Sequence, residues 1–170
     1  MMVGFGMDQA NPASDDPVCR QSSAVRCVIE QGGPTDLVPH MRALLGGGQR
    51  GGQRNAYLNA RLQALLGIQA DQVGTEEFYQ QLKEISPISL VNKDTVPVLM
   101  LYTGPEGVTS RDDPRLKWDV HTPISGLILA EKLRQVGVEY ELVISPDLGR
   151  DSTRSMTAQA EFLMRYNKRP

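Results

Sequence analysis

An α/β fold with about three parallel strands, flanking helices and a helical insert is what this chain predicts. Three short apolar runs, near residues 24–30, 98–102 and 140–144, are each stopped by Gly or Pro. Segments with helical spacing separate them, and the longest lies between the first and second runs. Strands alternating with helices imply right-handed crossovers and a parallel sheet. No internal repeat occurs.

Met1 to Pro17 is rich in Gly, Asn, Asp and Pro and reads as irregular. The first strand is expected over Ala24-Val25-Arg26-Cys27-Val28-Ile29-Glu30, ended by Gln31-Gly32-Gly33-Pro34. Residues 37–85 form the helical insert. Within it Leu37 to Leu45 suits a short helix, and Gly46 to Gln53 is low in complexity and expected to be flexible. Asn55 to Leu66 places Tyr57, Leu58, Leu62, Leu65 and Leu66 at helical spacing. Thr75 can cap the next helix, since Glu76 and Glu77 suit a helix N-terminus; that helix stops near Ser86, before Pro87.

The second strand is Val98-Leu99-Met100-Leu101-Tyr102, and a polar loop runs from Glu106 to Thr122. Ile124 to Val136 carries Ile124, Leu127, Ile128 and Leu133 on one helical face, with Gly137 as its C-cap. Tyr140 to Ile144 is the third strand, cut off by Ser145-Pro146. A last amphipathic helix from about Thr153 to Asn167 is expected to bury Met156, Phe162 and Leu163.

At 170 residues the chain is the size of one domain. Its net charge of -2 gives no electrostatic reason to expect nucleic acid as a partner. Arg42, Arg50, Arg54 and Arg61 are separated by Gly and Gln, with few aromatics between them. Cys19 and Cys27 make no CxxC motif; Cys27 reads as a small buried hydrophobe, and a Cys19–Cys27 disulfide stays open. No secretory signal opens the chain and no run reaches transmembrane length, so no membrane span is expected and the cytoplasm is the default. Nothing in the sequence calls for a metal or a cofactor.

Several phrases in order carry a family resemblance. Ala24 to Ile29 followed by Gly33-Pro34-Thr35-Asp36-Leu37 resembles the strand and loop after the nucleophile helix in esterase/lipase-type α/β-hydrolases. Ser86-Pro87-Ile88-Ser89 with Val96 to Leu101 resembles that family's approach to its acid-bearing loop. Leu133 to Val138 is similar to its connection into the last strand. The resemblance runs from about Asp16 to the C-terminus and implies a partial α/β-hydrolase fold, with the insert as a cap.

It also implies roles for residues. Asp119, with Pro123 four positions on, fits the family's catalytic acid, which orients a histidine. Asp112 and Asp113 compete for that position, and a solvated loop carboxylate is the plain alternative. The histidine expected after the last strand is missing, because Asp147-Leu148-Gly149-Arg150-Asp151 puts Arg150 there. A guanidinium stays protonated and is no general base. His121 reads as a surface loop residue and His40 as an unremarkable residue of the cap helix. No Gly-x-Ser-x-Gly turn occurs, Ser22-Ser23 suit a turn or cap, and Ser125 suits a helix start.

Three readings follow. A severed hydrolase would have lost its N-terminal half, with Met1 to Gly6 as the tail of the nucleophile helix. A non-catalytic homologue, a binding or interaction protein, explains Arg150 more directly. The third is a small flavodoxin-like binding domain, which lacks strands. Under the first two the chain is inactive as written, and a small ester is a substrate only once the N-terminal half is supplied. The open edge of the first strand is expected to favour self-association.

Overall fold

The computed structural model describes residues 5–6, 8–46, 60, 63–64, 66–119, 121–148 and 152–167. β1 (Val28–Gln31) is followed by α1 (Leu37–Gly46), a 3-10 turn at Ala70–Gln72, α2 (Glu76–Glu84) and the short α3 (Pro87–Leu90). Then come β2 (Val98–Tyr102), α4 (Pro123–Val136), β3 (Tyr140–Ile144) and α5 (Ser152–Asn167). The strands form a parallel sheet in the order β1-β2-β3, with Val28 opposite Val98 and Val98 opposite Tyr140. The α/β class expected from the sequence is the class observed.

β2 is the centre of the molecule. All five of its residues are buried, as the unbroken run Val98-Leu99-Met100-Leu101-Tyr102 requires of a strand covered on both faces. On one face Val28, Met100 and Tyr102 pack with Leu129, Ala130 and Leu133 of α4. On the other, Leu99 and Leu101 pack with Leu148 and with Phe162 and Tyr166 of α5. α4 and α5 therefore sandwich the sheet. Between β1 and β2, Met41, Ile68, Phe78 and Leu82 make a separate small core, so the insert holds itself together.

Local sequence explains the helix limits. Thr75 caps α2 by accepting the Phe78 N–H at 3.2 Å, with Glu76 and Glu77 in the first turn. Thr122 caps α4 by accepting the Ile124 N–H at 3.3 Å, and Pro123 takes the first helical position. Gly137 ends α4 in the left-handed region, at φ 75°. Asp36 receives the Val38 N–H at 3.2 Å at the start of α1.

Several sequence expectations need correction. β1 starts at Val28, not Ala24. Its ladder is set by its neighbour: Val28 donates to the Pro97 carbonyl at 2.9 Å, and Pro97 has no N–H with which to extend the pairing backwards. In α5, Phe162 is buried, but Met156 and Leu163 are 66% and 49% exposed. The buried stripe is Ser155, Phe162 and Tyr166, at i, i+7 and i+11 on one helical face, and the two rings meet at a tilt of 56° with 4.8 Å between centroids. Cys19 and Cys27 are free thiols, the first exposed and the second half-buried against the α5-side core. Ser22 and Ser23 stand in irregular backbone and neither in a turn nor at a helix cap; both hydroxyls donate to the Asp8 carboxylate, which lowers its pKa to about 2. The glycine-rich stretch and most of the proposed Asn55–Leu66 helix lie outside the described residues.

Close packing leaves two clear expectations. A Cβ at Gly126 would lie 2.4 Å from Tyr102 Cε2 and 2.7 Å from its Cδ2. Gly126→Ala is therefore expected to cost about 1–3 kcal/mol by overpacking, read as a lowered urea midpoint. Phe162→Ala should cost about 3–5 kcal/mol, while Met156→Ala should stay within about 0.5 kcal/mol. Equal losses for the two α5 variants would refute the assignment of its buried face.

Candidate functional site

The polar groups of the sheet gather at its C-terminal end, around the Gly32–Gly33 turn. Gly32 is at φ 65°, a conformation that favours glycine. Its N–H donates to the Leu101 carbonyl at 2.9 Å, and its own carbonyl meets His121 Nδ1 at 2.6 Å. The Gly33 N–H donates to Glu30 Oε1. The Tyr102 hydroxyl donates to the Gly33 carbonyl at 2.6 Å. Strand β1, strand β2 and the loop before α4 thus each hold one part of the same turn.

The rest of the junction is equally tied. Thr35, fully buried, donates from Oγ1 to the Ser125 carbonyl of α4 at 2.6 Å. The Thr35 carbonyl accepts the Ile88 N–H at 3.0 Å, and Ser86 Oγ accepts the Leu37 N–H at 2.9 Å while donating to the Leu82 carbonyl at 2.6 Å. Gly33-Pro34-Thr35-Asp36-Leu37 and Ser86-Pro87-Ile88-Ser89, far apart in sequence, therefore meet in space.

Glu30 is 4% exposed, and its Oε2 has no hydrogen-bond partner. Burial holds its carboxyl above the ordinary carboxylic-acid range. The adjacent Tyr102 hydroxyl is also pushed up, chiefly by burial and further by Glu30. A protonated Glu30 acquires an O–H donor, for which the Tyr102 oxygen is an acceptor.

His40 lies on α1 and is buried, unlike the bland residue expected from the sequence. Burial lowers its pKa, with Asp119 acting to raise it and His121 to lower it. His40, Asp119 and His121 are therefore within electrostatic reach of one another. Asp119 is exposed on the loop between β2 and α4, and its carbonyl accepts the Thr122 N–H at 3.3 Å.

Of the two competing carboxylates, Asp113 is engaged by Arg115, whose Nε and Nη2 donate to it at 2.9 and 2.7 Å; the pair lowers the Asp113 pKa to about 2. Asp112 instead lines a groove of about 750 Å3 between the loop at 108–112, α4 and β3. Leu127, Leu142 and Ile144 line it together with the charged Arg111, Glu131 and Arg134, and polar surface predominates. Arg150, at the position where the resemblance expects a histidine, lies outside the described residues.

Among the described residues no three His, Cys, Asp or Glu side chains are grouped so as to hold a metal ion. No described helix is long and apolar enough to cross a membrane.

Fold and site define a three-layer α/β protein whose polar residues converge beyond the carboxyl ends of parallel strands, where ligands bind in open α/β sheets. No family model and no curated protein matches the chain. Among solved structures it is similar to an acetyl ester-xyloside bifunctional hydrolase from Caldicellulosiruptor lactoaceticus, at 22% identity and a TM-score of 0.49. The match covers 85% of this chain and 40% of that one, so the chain spans well under half of that protein's length. The α/β architecture stands on this chain's own strand order and layers.

Sequence reasoning passed over Glu30, although period-two alternation places it on the same strand face as Val28. The burial of that carboxyl gives a pH test. The folded state retains the Glu30 proton at pH values where the unfolded chain has released it, so its contribution to stability falls as pH rises from the ordinary carboxyl range through the raised folded value. Glu30→Gln keeps an acceptor for the Gly33 N–H and removes this titration. The stability of wild type relative to Glu30→Gln should decline in urea titrations as pH rises above the ordinary carboxyl range. Parallel pH profiles for the two proteins would exclude a raised Glu30 pKa.

Proposed function

We propose that this chain is the C-terminal portion of an esterase/lipase-type α/β-hydrolase, and that it does not hydrolyse esters by itself. The observation that carries this reading is the placement of Asp119 on the loop leaving the C-terminal end of β2, just before α4. There it fits the acid position that the Asp119 to Pro123 spacing suggests. Support also comes from the parallel order β1-β2-β3, with α4 and α5 on opposite faces, and from the meeting of the two phrases around Thr35 and Ser86. On this reading residues 37–85 are a cap over a substrate pocket, and the side of β1 that has no partner strand among the described residues is where the sheet would continue or a second copy would associate.

The proposed lack of activity follows from chemistry. Acyl transfer through a serine needs an activated nucleophile and a base poised beside it. The sequence contains no Gly-x-Ser-x-Gly turn, and Arg150 stands at the family's histidine position. A small ester becomes a substrate once a nucleophile-bearing half completes the sheet.

A second reading is a non-catalytic binding protein, with the open and largely polar groove beside β3 as the place a ligand would be sought.

Purified chain is expected to leave p-nitrophenyl acetate and butyrate unhydrolysed above the buffer rate and to take up no serine-directed phosphonate. Turnover that the phosphonate blocks would defeat the proposal. The coding DNA upstream of the Met1 codon, inspected in all frames, separates the readings. A Gly-x-Ser-x-Gly segment supports a hydrolase half, and its absence favours the binding protein.

A further inference from the structure

We propose that His121 is the accessible base of this site, presenting Nε2 at the C-terminal ends of β1 and β2 to take a proton from a hydroxyl or water. The Gly32 carbonyl can only accept, so at 2.6 Å the His121 Nδ1 must carry the hydrogen. In the neutral ring that leaves the lone pair on Nε2. His121 is exposed, whereas His40, within electrostatic reach of it, is buried, so the His121 ring is the one a ligand can reach.

The anchor is rigid. Gly32 and Gly33 are held by Leu101, Glu30 and Tyr102, and the His121 loop is fixed next to it by Thr122, which donates to the Lys117 carbonyl at 2.8 Å while capping α4. When Nε2 takes the proton, the oxygen of the hydroxyl keeps the bonding pair and becomes the nucleophile. The imidazolium keeps its Nδ1–H on Gly32. Asp119, two residues away, supplies negative charge near the new cation, and His40, kept neutral by burial, adds no repulsion.

The catalytic use of this base rests on the hydrolase reading, but the state of the ring is measured independently of it. In long-range proton–nitrogen NMR of the 15N-labelled full chain, assigned with His121→Asn, neutral His121 is expected as the Nδ1–H tautomer. Free histidine in water favours the opposite one. An Nε2–H ring would overturn the proposal. Diethylpyrocarbonate, followed by mass spectrometry, is expected to modify His121 and to reach His40 at least about tenfold more slowly, since a buried ring reacts only through local opening. Protection of His121 equal to that of His40 would also overturn it. Neither result bears on a search for an upstream Gly-x-Ser-x-Gly segment, so the base and the hydrolase reading fail separately.

Discussion

Tyr102 is the residue on which the rest of this structure depends. It ends the central strand with no exposed surface, and its two ends do different work. The ring is the seat for α4, which approaches so closely that the facing position holds a glycine, Gly126. The hydroxyl closes the Gly33 carbonyl at 2.6 Å. Losing that bond would leave a half-buried carbonyl without this partner, at a cost of about 1 kcal/mol. One side chain thus fixes both the helix layer over the sheet and the turn through which the chain leaves β1 for the insert.

Buried polarity in the molecule is concentrated where that turn sits. Glu30, Thr35, His40, Ser86, Thr122 and Ser125 are all buried, and each belongs to the sheet's C-terminal end or to the insert joined to it. Thr35, Ser86 and Thr122 are satisfied by backbone groups, which makes them struts between elements. Glu30 is different, because one carboxylate oxygen has no partner while burial favours the neutral acid. In the neutral form its O–H can donate to the Tyr102 oxygen, and a buried carboxyl with a raised pKa at the end of a strand is the kind of group that functional sites use.

How much of this was legible in the sequence depended on the range of the interactions. Val98–Tyr102 and Tyr140–Ile144 were readable to the residue because apolar runs and their Gly or Pro stops are local signals. The start of β1 was misread because Pro97, 69 residues beyond Val28, sets where its ladder begins. In α5 both possible faces contain apolar residues, and the aromatic stripe prevailed because Phe162 and Tyr166 pack against each other as well as against the sheet. The loop position of Asp119 was readable from its spacing to Pro123. The anchoring of His121 was not, since its partner lies 89 residues away and is a backbone carbonyl with no side-chain signature.

That carbonyl gives the proposed site an unusual coupling. Asp119 and His121 share one loop, so neither is positioned against the other by tertiary structure. His121 is positioned against Gly32, and Gly32 belongs to the turn through which the chain leaves β1 for α1. His40, on α1, lies within electrostatic reach of the same ring. The Thr35–Ser125 and Ser86–Leu37 bonds tie the chain between the turn and α1 to α4 on one side and to the junction of α2 and α3 on the other, so the turn that holds His121 is braced from both layers.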